Sequence, residues 1–183
     1  MRSVSKLHHL NAWEKTTTNG SSLVTATGIP VVDELLPGGG WPKAGLVEII
    51  VPDEYTDAVA LLMPAFIRLS RQERWIAMVN PSYQARAHLF SEAGMDHASV
   101  MQVNPHPGRS ALWTAESMLR SGDCSVVMAW PNCNTELMDK RLQKSAVHGK
   151  ALGILFRYES LSMHPSGVNL RLKLEVEGEA NAV

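Results

Sequence analysis

Three carboxylates, Asp53, Glu54 and Asp57, stand in a short loop between the apolar run LVEIIV (residues 46–51) and a second apolar stretch that begins at Ala58. Directly after a first buried strand is where a nucleotide-binding α/β protein carries its phosphate loop, G-x-x-x-x-G-K-[ST]. There the glycines let backbone N–H groups close around phosphate, the lysine neutralises it and the hydroxyl holds magnesium. The loop here reads VPDEYTDA. Val51 and Thr56 occupy the glycine positions, Asp57 the lysine position and Ala58 the hydroxyl position. At ~4 Å and an effective dielectric near 20, each acid facing a polyphosphate would cost ~4 kcal/mol before screening. The same acids suit the N-terminus of the helix that follows. The other half of such a site is an acid closing a later apolar strand, where it holds the metal. The best candidate strand, CSVVMAW, ends instead in Trp130 and Pro131. The P-loop is degenerate, and neither a nucleotide cofactor nor ATP hydrolysis is expected.

Other catalytic chemistry is equally thin. The 7 histidines show no H-x-x-x-H or H-E-x-x-H spacing, so no metal is expected. No G-x-S-x-G nucleophile elbow occurs. Cys124 and Cys133 form no C-x-x-C pair. Cys124 opens an apolar strand and reads as core, and nothing near Cys133 would depress its pKa. The net charge of −1 gives no basic field for nucleic acid or an acidic membrane. No apolar run approaches the ~20 residues of a membrane-spanning helix. The opening MRSVSKLHHLNAW lacks the apolar core of a secretory leader. A non-enzymatic cytoplasmic protein is the expectation.

The elements that would position these residues follow from periodicity. Residues 1–23 are polar and read as a disordered tail, although Leu7, Leu10 and Trp13 have the helical spacing of a docking segment. Ile29, Val32, Leu35 and Leu36 predict a short helix, followed by Gly38, Gly39 and Gly40 as either a fixed turn or a flexible connection. Strand 46–51 leads into a helix over 57–70, capped by Thr56 or Asp57 and kinked at Pro64. Strands are then predicted at 75–79, 99–103, 124–130 and 151–158, with helices at 83–93, 110–120 and 135–148 between them. Strands alternating with helices through short turns make βαβ units and a parallel sheet. Period-two alternation in VNLRLKLEV (168–176) predicts an antiparallel C-terminal edge strand, in a hairpin with the strand near Leu155. One folded domain is expected over 24–177, with a disordered tail at 178–183.

The segment TGIPVVDELLPGGGWPKAGLVEIIVP resembles the opening of the RecA-like domain. Its LPGGGWP piece is similar to the SulA/ImuA branch. From Arg74 onward, RWIAMVNP, LFSEAGM followed by VMQV, TAESMLRSGDCSVVMAW and HGKALGILFR resemble the SulA cell-division inhibitors. The resemblance implies a RecA-like, mostly parallel sheet flanked by helices, without nucleotide binding. It implies induction in the SOS response to DNA damage and binding to the tubulin-like protein FtsZ, whose polymerisation and septum formation are blocked. It also implies a homodimer and turnover by Lon protease. Carried across, the partner surface falls on Arg74, Val79, Leu89 and Ser99. Arg71 and Trp75 join them on the residues themselves. Arg68, Arg71 and Arg74 cluster where a helix meets a strand, which suits either a helix C-terminus or an interface hot spot beside Trp75. The alternative is an ImuA-like accessory of SOS translesion synthesis, acting beside an error-prone polymerase and RecA.

Overall fold

In the computed structural model of the chain, the described residues are 4–9, 24–52, 58–71, 73–81, 90, 94–95, 97–106, 110–131, 136–161, 167–168 and 170–176. The first half contains β1 (Val4–His9), β2 (Val24–Thr25), α1 (Pro30–Leu35), β3 (Trp41–Pro42), β4 (Gly45–Val51), α2 (Met63–Leu69) and β5 (Trp75–Val79). The second half contains β6 (Val100–Val103), α3 (Ala111–Ser121), β7 (Cys124–Ala129), α4 (Glu136–His148), β8 (Leu152–Tyr158) and β9 (Leu170–Val176). One seven-stranded sheet runs in the order β1-β9-β4-β8-β7-β5-β6, and β2 with β3 forms a separate two-stranded ribbon. Every neighbouring pair in the large sheet is parallel except β1 with β9.

The mostly parallel sheet follows from strands that are apolar on both faces. All seven residues of β4 and all six of β7 are buried, as a central parallel strand requires. Alternate side chains divide between two cores. Val47, Ile49 and Val51 share one with Val32 of α1 and with Ala65 and Phe66 of α2. Leu46, Val127 and Leu155 share the other with Leu112, Ala115 and Leu119 of α3 and with Leu142 and Ala146 of α4. Helices therefore cover both faces.

Three expectations are corrected. The C-terminal strand is neither at the edge nor antiparallel to the body of the sheet: β9 lies against β4 in parallel register, Glu48 opposite Arg171. A hairpin with β8 is impossible, because β4 lies between the two. The antiparallel edge strand is β1, within the stretch read as a disordered tail; His9 pairs with Leu172 and Leu7 with Leu174. Pro64 does not kink a helix. A 3-10 turn at Val59–Leu61 precedes α2, and Pro64 stands in the first turn of α2, where its missing N–H is not needed.

The GGG segment is a fixed turn: Gly38 and Gly39 take φ of +78° and +81°, and a Cβ on Gly40 would lie 2.4 Å from the Thr25 carbonyl oxygen. Asp53, Glu54, Thr56 and Asp57 lie outside the described residues, as does nearly all of the helix expected over 83–93. Val51 and Ala58, on either side of that loop, are both buried.

Candidate partner-binding surface

The three clustered arginines part company in three dimensions. Arg68 donates from Nη2 to the Ala26 carbonyl. Arg71 is exposed in the turn between α2 and β5. Arg74 turns its side chain to backbone carbonyls. Its Nε donates to the Gly122 carbonyl at 2.9 Å, Nη1 to Lys150 at 2.9 Å and Nη2 to Gly149 at 2.7 Å, and Nη2 also donates to the Cys124 carbonyl. Gly122 caps the C-terminus of α3, while Gly149 and Lys150 follow that of α4. Such carbonyls lack intrahelical partners and carry the negative end of the helix dipole. Arg74 does complement helix C-termini, but those of α3 and α4, because a parallel sheet gathers the starts of its strands beside the ends of the preceding helices. Gly149 completes the cradle: a Cβ there would stand 1.9 Å from the Leu119 oxygen.

Trp75, next in sequence, turns the other way. The residue is 41% exposed, whereas Ile76 to Val79 are buried. Its main chain is fixed by N–H donation to the Asp123 carbonyl at 2.9 Å and by Ser125 Oγ donating to its carbonyl at 3.3 Å. Ser99 directly precedes β6. Since Ile76 pairs with Val100, Ser99 comes level with Trp75, and it is half-buried. Arg71, Trp75 and Ser99 thus gather at the N-terminal end of the β5–β6 edge. Val79 does not join them, because its side chain is fully buried in the core beneath α3. Leu89 lies outside the described residues.

The buried charges are turned inward. Arg157 of β8 donates to Glu48 Oε1 at 2.5 Å and to Asp139 Oδ1 at 2.6 Å, and Arg171 Nε lies 2.7 Å from Glu48 Oε2. Burial opposes the Arg157 charge, but the hydrogen bond and charge of Asp139, with those of Glu48, more than offset it. The guanidinium is held above its ordinary range. Among the described residues, no group of three or more His, Cys, Asp or Glu could hold a metal ion. Cys124 is buried, and its thiol is pushed up by desolvation and then by the Asp123 charge, against the lowering effect of Arg74. A protonated thiol in a core strand is a packing group.

A second exposed feature escaped the sequence reading. Trp113 on α3 is 55% exposed, with the Arg141 guanidinium 4.5 Å from its ring centroid. Glu116 holds Arg141 through both carboxylate oxygens, at 3.0 and 2.8 Å. The pairing joins two helices 25 residues apart in sequence, so local spacing gives no signal for it.

Fold and surface together describe an α/β scaffold with a helix-covered parallel sheet, its buried acids bonded to arginines, and an aromatic residue exposed at the start of β5, next to the edge strand β6. Residues 45–153 match the family model described as Cell division inhibitor SulA. The chain belongs to the SulA family of cell division inhibitors. It is 31% identical to SulA of Citrobacter koseri over 139 residues, covering 72% of this chain and 79% of that protein. It is 32% identical to SulA of Shigella flexneri over 127 residues, covering 66% and 73%. The crystal structure of SulA from Pseudomonas aeruginosa superposes with a TM-score of 0.52 at 21% identity, over 62% of this chain and 97% of that one, a likeness of fold. Among the described residues no helix is long and apolar enough to cross a membrane.

Proposed function

We propose that this chain is an SOS-induced, cytoplasmic inhibitor that binds FtsZ, blocks its polymerisation and stops septum formation without hydrolysing nucleotide. The observation that carries the reading is the family match over residues 45–153. The degenerate loop sequence supports a binding role, since it offers acids where phosphate would need a lysine. The contact surface in this reading is the N-terminal end of the β5–β6 edge, with Trp75 at its centre and Arg71 and Ser99 beside it. An exposed tryptophan with a neighbouring arginine has the composition of an interface hot spot. The working form is a homodimer cleared by Lon protease, with no direct contact to nucleic acid or membrane.

The test is purified protein added to FtsZ from the same organism. At equimolar protein, polymer sedimentation and GTPase activity should both fall. Trp75→Ala should weaken inhibition by about tenfold or more, as loss of a hot-spot aromatic does, with an unchanged unfolding midpoint. Unaltered FtsZ assembly would overturn the function. Full inhibition by the Trp75 variant would overturn the surface.

A further inference from the structure

At the end of the sheet where β4, β7 and β8 begin there is an open cleft of about 330 Å³. Pro42, Ala44, Leu69 and Leu152 form an apolar wall, Thr25 and Ser125 add hydroxyls, and Lys43, Arg74 and Lys150 add positive charge. Among the described residues, none that lines the cleft is acidic. The two lysines are placed alike. Gly45 of β4 is in register with Leu152 of β8, and each lysine stands two residues ahead of its member of that pair. Gly45 N–H donates to the Ala151 carbonyl at 3.1 Å, so the two strand entries run side by side. Lys150 is held in a left-handed conformation at φ 51°. Both lysines are exposed, and neither makes an ion pair among the described residues.

Lys43, Arg74 and Lys150 bring three positive charges to one cleft, and such a field favours an anion. Arg74 adds to the positive charge of the cleft, but its donors are turned to carbonyl oxygens, so the lysines are the groups left to meet an anion. We propose that this cleft binds a compact organic carboxylate, with the carboxylate between Lys43 and Lys150 and the apolar body against Ala44 and Leu69. The partly exposed Ala44 and Leu69 argue for an organic anion over a bare one, because a small inorganic ion would leave them uncovered. The volume is at the lower end of the ~300–1,000 Å³ usual for small-molecule sites, which sets the size of the ligand near a single ring.

The probe is benzoate, followed by amide chemical shifts of the full chain. Benzyl alcohol serves as the neutral analogue and inorganic phosphate as the bare anion. Benzoate should give saturable shifts at Ala44, Ser125 and Leu152, with weaker responses to the other two. In Lys43→Gln/Lys150→Gln the benzoate affinity should fall about tenfold or more, to the level of benzyl alcohol. Both side chains are exposed, so amides away from the cleft should keep their positions. No saturable response to benzoate, an equal response in the double variant, or phosphate binding as tightly as benzoate would each overturn the proposal. FtsZ assembly takes no part in this readout, so its outcome and that of the division assay are separable.

Discussion

Arg74, one of the residues on which a partner contact is expected, is occupied. Its guanidinium is shared among the carbonyls of Gly122, Cys124, Gly149 and Lys150. Arg74→Ala should therefore lower stability by about 3 kcal/mol in urea unfolding, since a charged hydrogen bond contributes roughly 1.5–3 kcal/mol and these bonds share one side chain. Arg74→Lys should recover only part, because an ammonium lacks the planar fork. A variant with the wild-type midpoint would show that the cradle carries no energy. Any loss of division inhibition at Arg74 must accordingly be read beside its stability. Cys124 offers a second residue-level check. Its folded thiol ionises at higher pH than the unfolded one, so the stability linked to it is complete below the unfolded thiol range. That stability is lost as pH rises through the folded value. Stability should thus decline on the alkaline side, and Cys124→Ala should remove that part of the decline. Iodoacetamide at pH 8 should label Cys124 slowly in the native protein and quickly in urea, with peptide mapping to separate it from Cys133.

At the scale of elements, what was legible follows from how each signal is written. WIAMV and CSVVMA were recognisable as strands because a strand buried on both faces admits almost no polar residue. Ser110 and Gly122 frame α3 through local rules: the serine Oγ accepts from the Leu112 N–H at 3.2 Å, and the glycine adopts a left-handed cap. The neighbours of β9 were not legible, since alternation in VNLRLKLEV reports a wet face and a dry one but not which strand lies alongside. The wet face was itself misleading. Arg171 turns toward Glu48, and its side chain is only 14% exposed. The inward charges of Glu48, Asp139 and Arg157 had no local signature either, because their partners come from different elements. Asp139→Ala should cost about 3–5 kcal/mol, as it leaves Arg157 charged and buried beside one acid instead of two. Urea unfolding against wild type measures this, and a cost under about 1 kcal/mol would mean that Glu48 alone satisfies the guanidinium. Of the candidate surface, Trp75 and Ser99 could be brought together from strand order alone, whereas the burial of Val79 needed the packing of α3.

At the scale of the molecule, the sheet separates two working ends. The β5–β6 edge carries Trp75 and Ser99, and the opposite edge is closed by β1 on β9. Between them, β4 has β8 on one side and β9 on the other. Among the described residues, this first long parallel strand therefore pairs with the last two strands, across a hundred or more residues of intervening sequence. Such distant partners make closure slow and leave an apolar strand waiting during synthesis. A chain ended after residue 168 should show no cooperative urea transition, because β4 would lose one neighbour and Leu170, Leu172 and Leu174 would be absent from the core. A sharp transition in that truncated chain would contradict this. On the ribosome, Gly45–Val51 emerges early and finds no partner strand until Leu152 and then Leu170 follow. The fold is thus completed only after Leu170–Val176 has been made, and a translation product interrupted before it is left as a substrate for proteolysis.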